Sequence, residues 1–108
     1  MMQAAVTIVA SPKKRDEILR SLRSTVEPTR VQPGCVDCRL YVDALDENLL
    51  TLIQQWKTKA DLGRHLRSDI YTTLLAIMES SIEPPKVAFY TISKTEGLEA
   101  VERLRAGT

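Results

Sequence analysis

Aromatic rings are scarce in this 108-residue chain: one Trp, one Phe and three Tyr, 5% of the whole. So few rings exclude a broad stacking platform for nucleic-acid bases. An excess of one charge is missing too. Fifteen Lys and Arg face 14 Asp and Glu, a formal net charge of +1, so there is no electrostatic footprint for nucleic acid or an anionic membrane. No hydrophobic run approaches the roughly 18 apolar residues of a membrane span. The first apolar stretch is followed, not preceded, by its basic cluster Lys13-Lys14-Arg15, the reverse of a secretory signal. These absences point to a soluble, cytoplasmic protein. Cysteine stops at two and histidine at one, short of the four ligands of a usual zinc site. Cys35 and Cys38 form "CVDC" in a stretch that alternates like a strand. Three residues of extended chain span about 10 Å, too far for a disulfide. Free, buried thiols are expected, and no metal.

What is present is regular patterning. A chain of this length makes one domain, 1–108, able to bury roughly two-thirds of its unfolded surface. Ala4–Ala10 is a β-rich run. Ser11 and Pro12 suit a helix start, and Ile18, Leu19, Leu22 and Val26 then recur at helical spacing until Pro28, where the helix should end or kink. The basic and acidic residues around them form a solvated face. "QPGC" (Gln32–Cys35) is turn chemistry. Strands are expected at Cys38–Asp43 and Leu49–Lys57, joined as a hairpin. In the first of these, Leu40 and Val42 share one face while Arg39 and Tyr41 share the other. Leu62, Leu66, Ile70, Leu74 and Ile77 mark the next helical stretch. Gly63 weakens its start and Ser68 can cap a restart, so two consecutive short helices are foreseen. "EPP" stops it, Lys86–Ser93 is the last strand, and Glu96–Gly107 forms a terminal helix.

The order is β-α-β-β-α-β with a C-terminal helix, a ferredoxin-like α+β arrangement with helices on one face of an antiparallel sheet. The late strands carry apolar residues on both faces: Leu49 and Ile53 against Leu50, Leu52 and Trp56, then Val87 and Phe89 against Ala88, Tyr90 and Ile92. A monomer seldom leaves such a surface in water. A homodimer packed sheet against sheet, a dimeric α+β barrel enclosing a cavity, is the expected assembly.

Several short motifs, in this order and spacing, make the chain similar to the antibiotic biosynthesis monooxygenase domain family, its quinol monooxygenase members included. They are "QPGC", Tyr41-Val42-Asp43, Gln54-Gln55-Trp56, "HLRSDIYTTLL" and "VAFYTI", and the resemblance runs from about Ala4 to Ser93. Three positions depart from the family pattern: Gln54-Gln55-Trp56 stands where Glu-Glu-Trp is common, Ile70 replaces a second His, and Cys38 replaces an aromatic. The resemblance implies a homodimer that works without metal, flavin or haem and oxidises a small phenolic, quinol-like or anthrone-like substrate with molecular oxygen. Such chemistry needs a dry apolar pocket, a proton acceptor and hydrogen-bond donors for an anion. It implies Trp56 as a pocket wall, His65 as the proton acceptor, Tyr71 or Tyr41 as a donor, and Gln54 as a substrate-orienting group on the face of Trp56. An ordinary His base would give activity rising through about pH 6 to 7. Trp56, His65 and Tyr71 also have plain packing readings beside the apolar stripe. A haem-degrading relative would need a His ligand where Leu75 stands and an Asn in "VTIVA", and has neither. The alternatives are a non-catalytic binder of small aromatic molecules and a cofactor-free isomerase.

Overall fold

The computed structural model describes residues 1–107. Four strands, β1 (Met2–Val9), β2 (Cys35–Val42), β3 (Leu49–Trp56) and β4 (Lys86–Thr91), form one antiparallel sheet in the order β2-β3-β1-β4. Between them lie α1 (Arg15–Ser24), α2 (Val26–Arg30), α3 (Lys59–Leu66) and α4 (Asp69–Met78), and α5 (Glu99–Arg105) follows.

Strand parity decides the layering. Met2, Ala4, Val6 and Ile8 of β1 stand in register with Trp56, Gln54, Leu52 and Leu50 of β3, and all eight are buried. Ile18 and Leu22 of α1 and Leu74, Ile77 and Met78 of α4 close over the upper part of this face, forming one core with Val6, Ile8, Leu50 and Leu52. Each such Leu or Ile contributes about 1.5–3 kcal/mol by leaving water. A second, smaller cluster gathers Met2, Ala4, Trp56 and Leu62 at the other end. The odd positions of β1 and β3 form the open face, where Thr7 and Thr51 hydroxyls bond at 3.0 Å and Gln55 donates to Gln3 at 3.3 Å.

The expected α+β class is present, but the dimeric barrel is not the fold of this chain. The sheet is open, with β2 and β4 as its two free edges. Closure by side-chain-filled strands takes about eight, and four cannot meet edge to edge. The helical layer is also more divided than the simple six-element scheme. The expected break at Pro28 falls one turn earlier: α1 ends at Ser24, four residues before it, and Pro28 sits in the first turn of α2, where backbone N–H groups lack intrahelical acceptors anyway. The restart at Ser68 is as foreseen, its hydroxyl accepting from the Tyr71 N–H as the cap of α4. Thr58 caps α3 through the Asp61 N–H. Among the described residues, no helix is long and apolar enough to cross a membrane.

Candidate active site

Three of the expected residues meet in one aromatic stack. Trp56 ends β3 and is fully buried. Its ring lies 4.6 Å from the His65 ring, centroid to centroid, at 27°. The Tyr71 ring meets the His65 ring edge to face, at 5.5 Å and 79°. The helix break explains the meeting. His65 lies in the last turn of α3 and Tyr71 in the first turn of α4, so the bend at Ser68 folds Tyr71 back onto the imidazole.

Gln54 joins them from β3, buried, with its Oε1 accepting from the Trp56 indole N–H at 3.2 Å. That bond satisfies the one polar atom of the indole and fixes the ring. Tyr41 is not brought to this group. It pairs with Thr51 on the open face of the sheet and is half exposed. Parity alone places it there, because Leu40 and Val42 hold the helix face.

His65 carries the electrostatic peculiarity. It is 2% exposed. Nδ1 lies 2.6 Å from Gln32 Oε1, while Nε2 is buried and has no partner among the described residues. Burial pushes the imidazole pKa down to about 4, because removal from bulk solvent disfavours the charged form. The ring is therefore neutral at pH 7. Burial raises the Tyr71 phenol in the same way, so it stands as a protonated donor. Gln32 is the residue that sequence reasoning missed. It is 33 positions from His65, and no periodicity connects a turn to a helix.

Two hollows flank α3. One, about 70 Å³, is lined by Gln32, Pro33, Trp56, Arg64, His65 and Ser68. It suits a water or a diatomic molecule, not an aromatic ring. The other is a groove of about 350 Å³ between α3 and β4, walled by Met2, Leu62, Leu66 and Phe89 with Lys59 at its edge. That is the size of a small-molecule site. Trp56 lines the first hollow and packs on Met2 and Leu62, which wall the second.

Cys35 and Cys38 are free. A bulge between Cys35 and Asp37 sets Cys35 opposite Trp56 and Cys38 opposite Gln54, so both thiols take the helix face. Burial, the largest cause, pushes the Cys38 thiol up to about 12, which makes it a poor nucleophile. Among the described residues, no group of three or more His, Cys, Asp or Glu is placed to hold a metal ion.

A family model described as antibiotic biosynthesis monooxygenase matches residues 1–76. A solved structure of an antibiotic biosynthesis monooxygenase superposes with a TM-score of 0.78 at 24% identity, covering 87% of this chain and all of the other. A Pseudomonas aeruginosa structure superposes at 0.75 with 27% identity, covering 86% of this chain and 94% of its own. An uncharacterized Synechocystis protein is 24% identical over 95 residues, 87% of this chain. The chain spans 65% of the length of that curated relative.

Proposed function

The chain belongs to the antibiotic biosynthesis monooxygenase family, and from that premise we propose that it is a cofactor-independent monooxygenase of small phenolic, quinol-like or anthrone-like molecules. The observation that carries the reading is the buried His65 Nε2 without a partner, enclosed by Trp56 and Tyr71. A buried polar atom left unsatisfied costs about 1–3 kcal/mol, a cost that a substrate hydroxyl would offset.

The low pKa of His65 shapes the chemistry. A base held at about 4 cannot draw a proton from a resting phenol. Once the phenol gives one electron to dioxygen, it becomes strongly acidic, and a weak base suffices. Aryloxyl and superoxide then combine, forming a carbon–oxygen bond at the activated ring carbon. The O–O bond breaks as the outer oxygen leaves as water. It takes the proton carried by His65 and the hydrogen on that carbon, and a carbonyl remains. Tyr71 serves as a donor to the developing anion. In this proposal the aromatic body enters from the groove on the Leu62 and Leu66 side of α3, and the buried Trp56 ring between groove and imidazole shifts to let the substrate hydroxyl reach His65 Nε2. In the same proposal, a second copy covers the open sheet face, where Tyr41 and Tyr90 stand half exposed.

Oxygen uptake with a panel of quinols and anthrones tests this reading. Uptake should occur without added metal or flavin, and kcat/KM should rise near pH 4 rather than between 6 and 7, because the free protein's base sets that limb. A second reading, a non-catalytic binder, is favoured by one observation: His65 does not line the groove. Tight binding of aromatic molecules with no oxygen uptake by any of them would select the binder.

A further inference from the structure

We propose that Gln32 is the positioning residue of this site: its amide oxygen accepts a hydrogen bond from His65 Nδ1–H and so leaves the lone pair on Nε2 as the free basic atom. The consequence for catalysis rests on the monooxygenase reading above. The hydrogen-bond assignment does not.

The turn that carries Gln32 is pinned on three sides. The Gln32 N–H donates to the Thr29 carbonyl, and its own carbonyl accepts from the Cys35 N–H, both at 3.1 Å. With both backbone groups engaged, the side chain starts from a fixed point. Gly34 then has φ of +82°, a conformation that glycine adopts without cost. Its carbonyl accepts from the Lys57 N–H at 2.9 Å, tying the turn to the end of β3. A Cβ at Gly34 would fall on the Asp61 carboxyl. The missing side chain is what lets the turn sit against the first turn of α3, one turn before His65. Pro33, between them, has its own φ fixed by its ring and restricts the backbone of Gln32 before it. "QPG" is therefore a bracket that holds an amide over an imidazole.

The direction of the 2.6 Å bond follows from the other nitrogen. If the Gln32 amide donated to Nδ1, the ring proton would sit on Nε2, a buried N–H with no acceptor. Orphaned buried N–H groups are the rarer fault, and acceptors short of a donor the commoner one. The neutral Nδ1–H tautomer, with Gln32 accepting, is the form the enclosure stabilises. The other groups around the ring do not compete for its proton. Asp61 and Arg64, which share the small hollow, are paired with each other at 3.0 Å. The Tyr71 ring meets the imidazole edge to face, at 79°.

One histidine per chain makes the test clean. ¹⁵N-histidine NMR of the folded protein at pH 7 should give a pyrrole-type Nδ1 and a pyridine-type Nε2. Gln32→Leu removes the acceptor and should move the ring proton largely to Nε2, lowering kcat about tenfold or more with little change in KM. Gln32→Glu keeps an acceptor at the same place. It should preserve the Nδ1–H form and raise the His65 titration midpoint by about one unit or more, carrying the pH profile with it. A wild-type ring protonated on Nε2, or a Gln32→Leu protein still protonated on Nδ1, overturns the proposal. If Gln32→Leu fails to fold, the wild-type tautomer and the Gln32→Glu shift decide alone. The expected tautomers with no oxygen uptake in any variant would uphold the positioning and remove the oxygenase reading.

Discussion

Acid should destabilise this protein well above the range where its carboxylates titrate, and His65→Phe should abolish the effect. His65 has a folded pKa near 4 against 6.5 for the free side chain. Its folded-state pKa is depressed, so between those values the unfolded chain binds a proton that the folded chain refuses. Stability therefore rises with pH through that window and is lost as pH falls through it. Integrated from pH 7 to pH 5, the linkage is worth about 2 kcal/mol, and about 3 kcal/mol once both states are protonated. A loss of 2 kcal/mol should lower Tm by on the order of 10 °C in a domain of this size. The desolvation argument applies because His65 is 2% exposed. Hydrogen bonds hold the Asp37, Asp61 and Glu99 carboxyls below the usual carboxylate range, so their contributions fade only at more acid pH. Those contributions are common to both proteins and cancel in the difference. Phe keeps the stack on Trp56 and removes both ring nitrogens, so the variant should lie within about 1 kcal/mol of wild type at pH 7. Urea unfolding of both proteins at pH 7 and pH 5, at one protomer concentration, measures the double difference. Equal acid losses in the two proteins would refute the reasoning and mean that the imidazole meets water or charge.

Four further outcomes follow from the same geometry. Trp56→Ala should cost about 3–5 kcal/mol in urea unfolding, because it empties the second core cluster, whereas Trp56→Phe should cost about 1–2 kcal/mol. Ser68→Ala should cost about 1 kcal/mol by uncapping α4, seen as a fall in Tm of about 4–8 °C; no fall would mean that the cap is dispensable. Gly34→Ala should cost about 1–3 kcal/mol from its positive φ alone, with the Asp61 collision added, and Asp61→Gly in the same chain should restore only the steric part. In thiol titration of the native protein at pH 8, Cys35 should react first and Cys38 only on unfolding; comparable rates would refute the burial of Cys38.

Much of the fold was legible because its signals are local. The β-rich run "AAVTIVA" and the apolar run "LLTLIQQWK" mark β1 and β3, and Ser68 marks the break between α3 and α4 through a cap that needs only its next three residues. The same parity rule correctly set Gln54 beside Trp56. It also separated Tyr41 from them, though the family resemblance had drawn Tyr41 into the site. What was illegible depends on distance in sequence or on small backbone irregularity. The bulge at Cys35–Asp37 adds one residue and reverses the facing of everything before it, without a compositional mark. The bond from Gln32 to His65 spans 33 positions. The depressed pKa of His65 is a property of its enclosure, and residue type alone suggested a midpoint more than two units too high.

The strand order also sets a timetable. β1 is central, pairing with β3 on one side and β4 on the other. Its partners lie some 40 to 90 residues downstream: Val9 meets Leu49, and Met2 meets Thr91. Only the β2–β3 hairpin pairs neighbours in sequence, so it is the natural first structure, and the long-range pairings must wait on loop closure. On the ribosome, β1 emerges ahead of both partners as a bare, β-prone segment with two unpaired edges. Lys13, Lys14 and Arg15 follow it directly, a cluster of like charge that repels a second nascent copy. In the finished molecule Arg15 bonds the Glu47 carbonyl at 2.9 Å, while Lys13 and Lys14 stay exposed, and their like charge acts in the interval before β3 and β4 arrive.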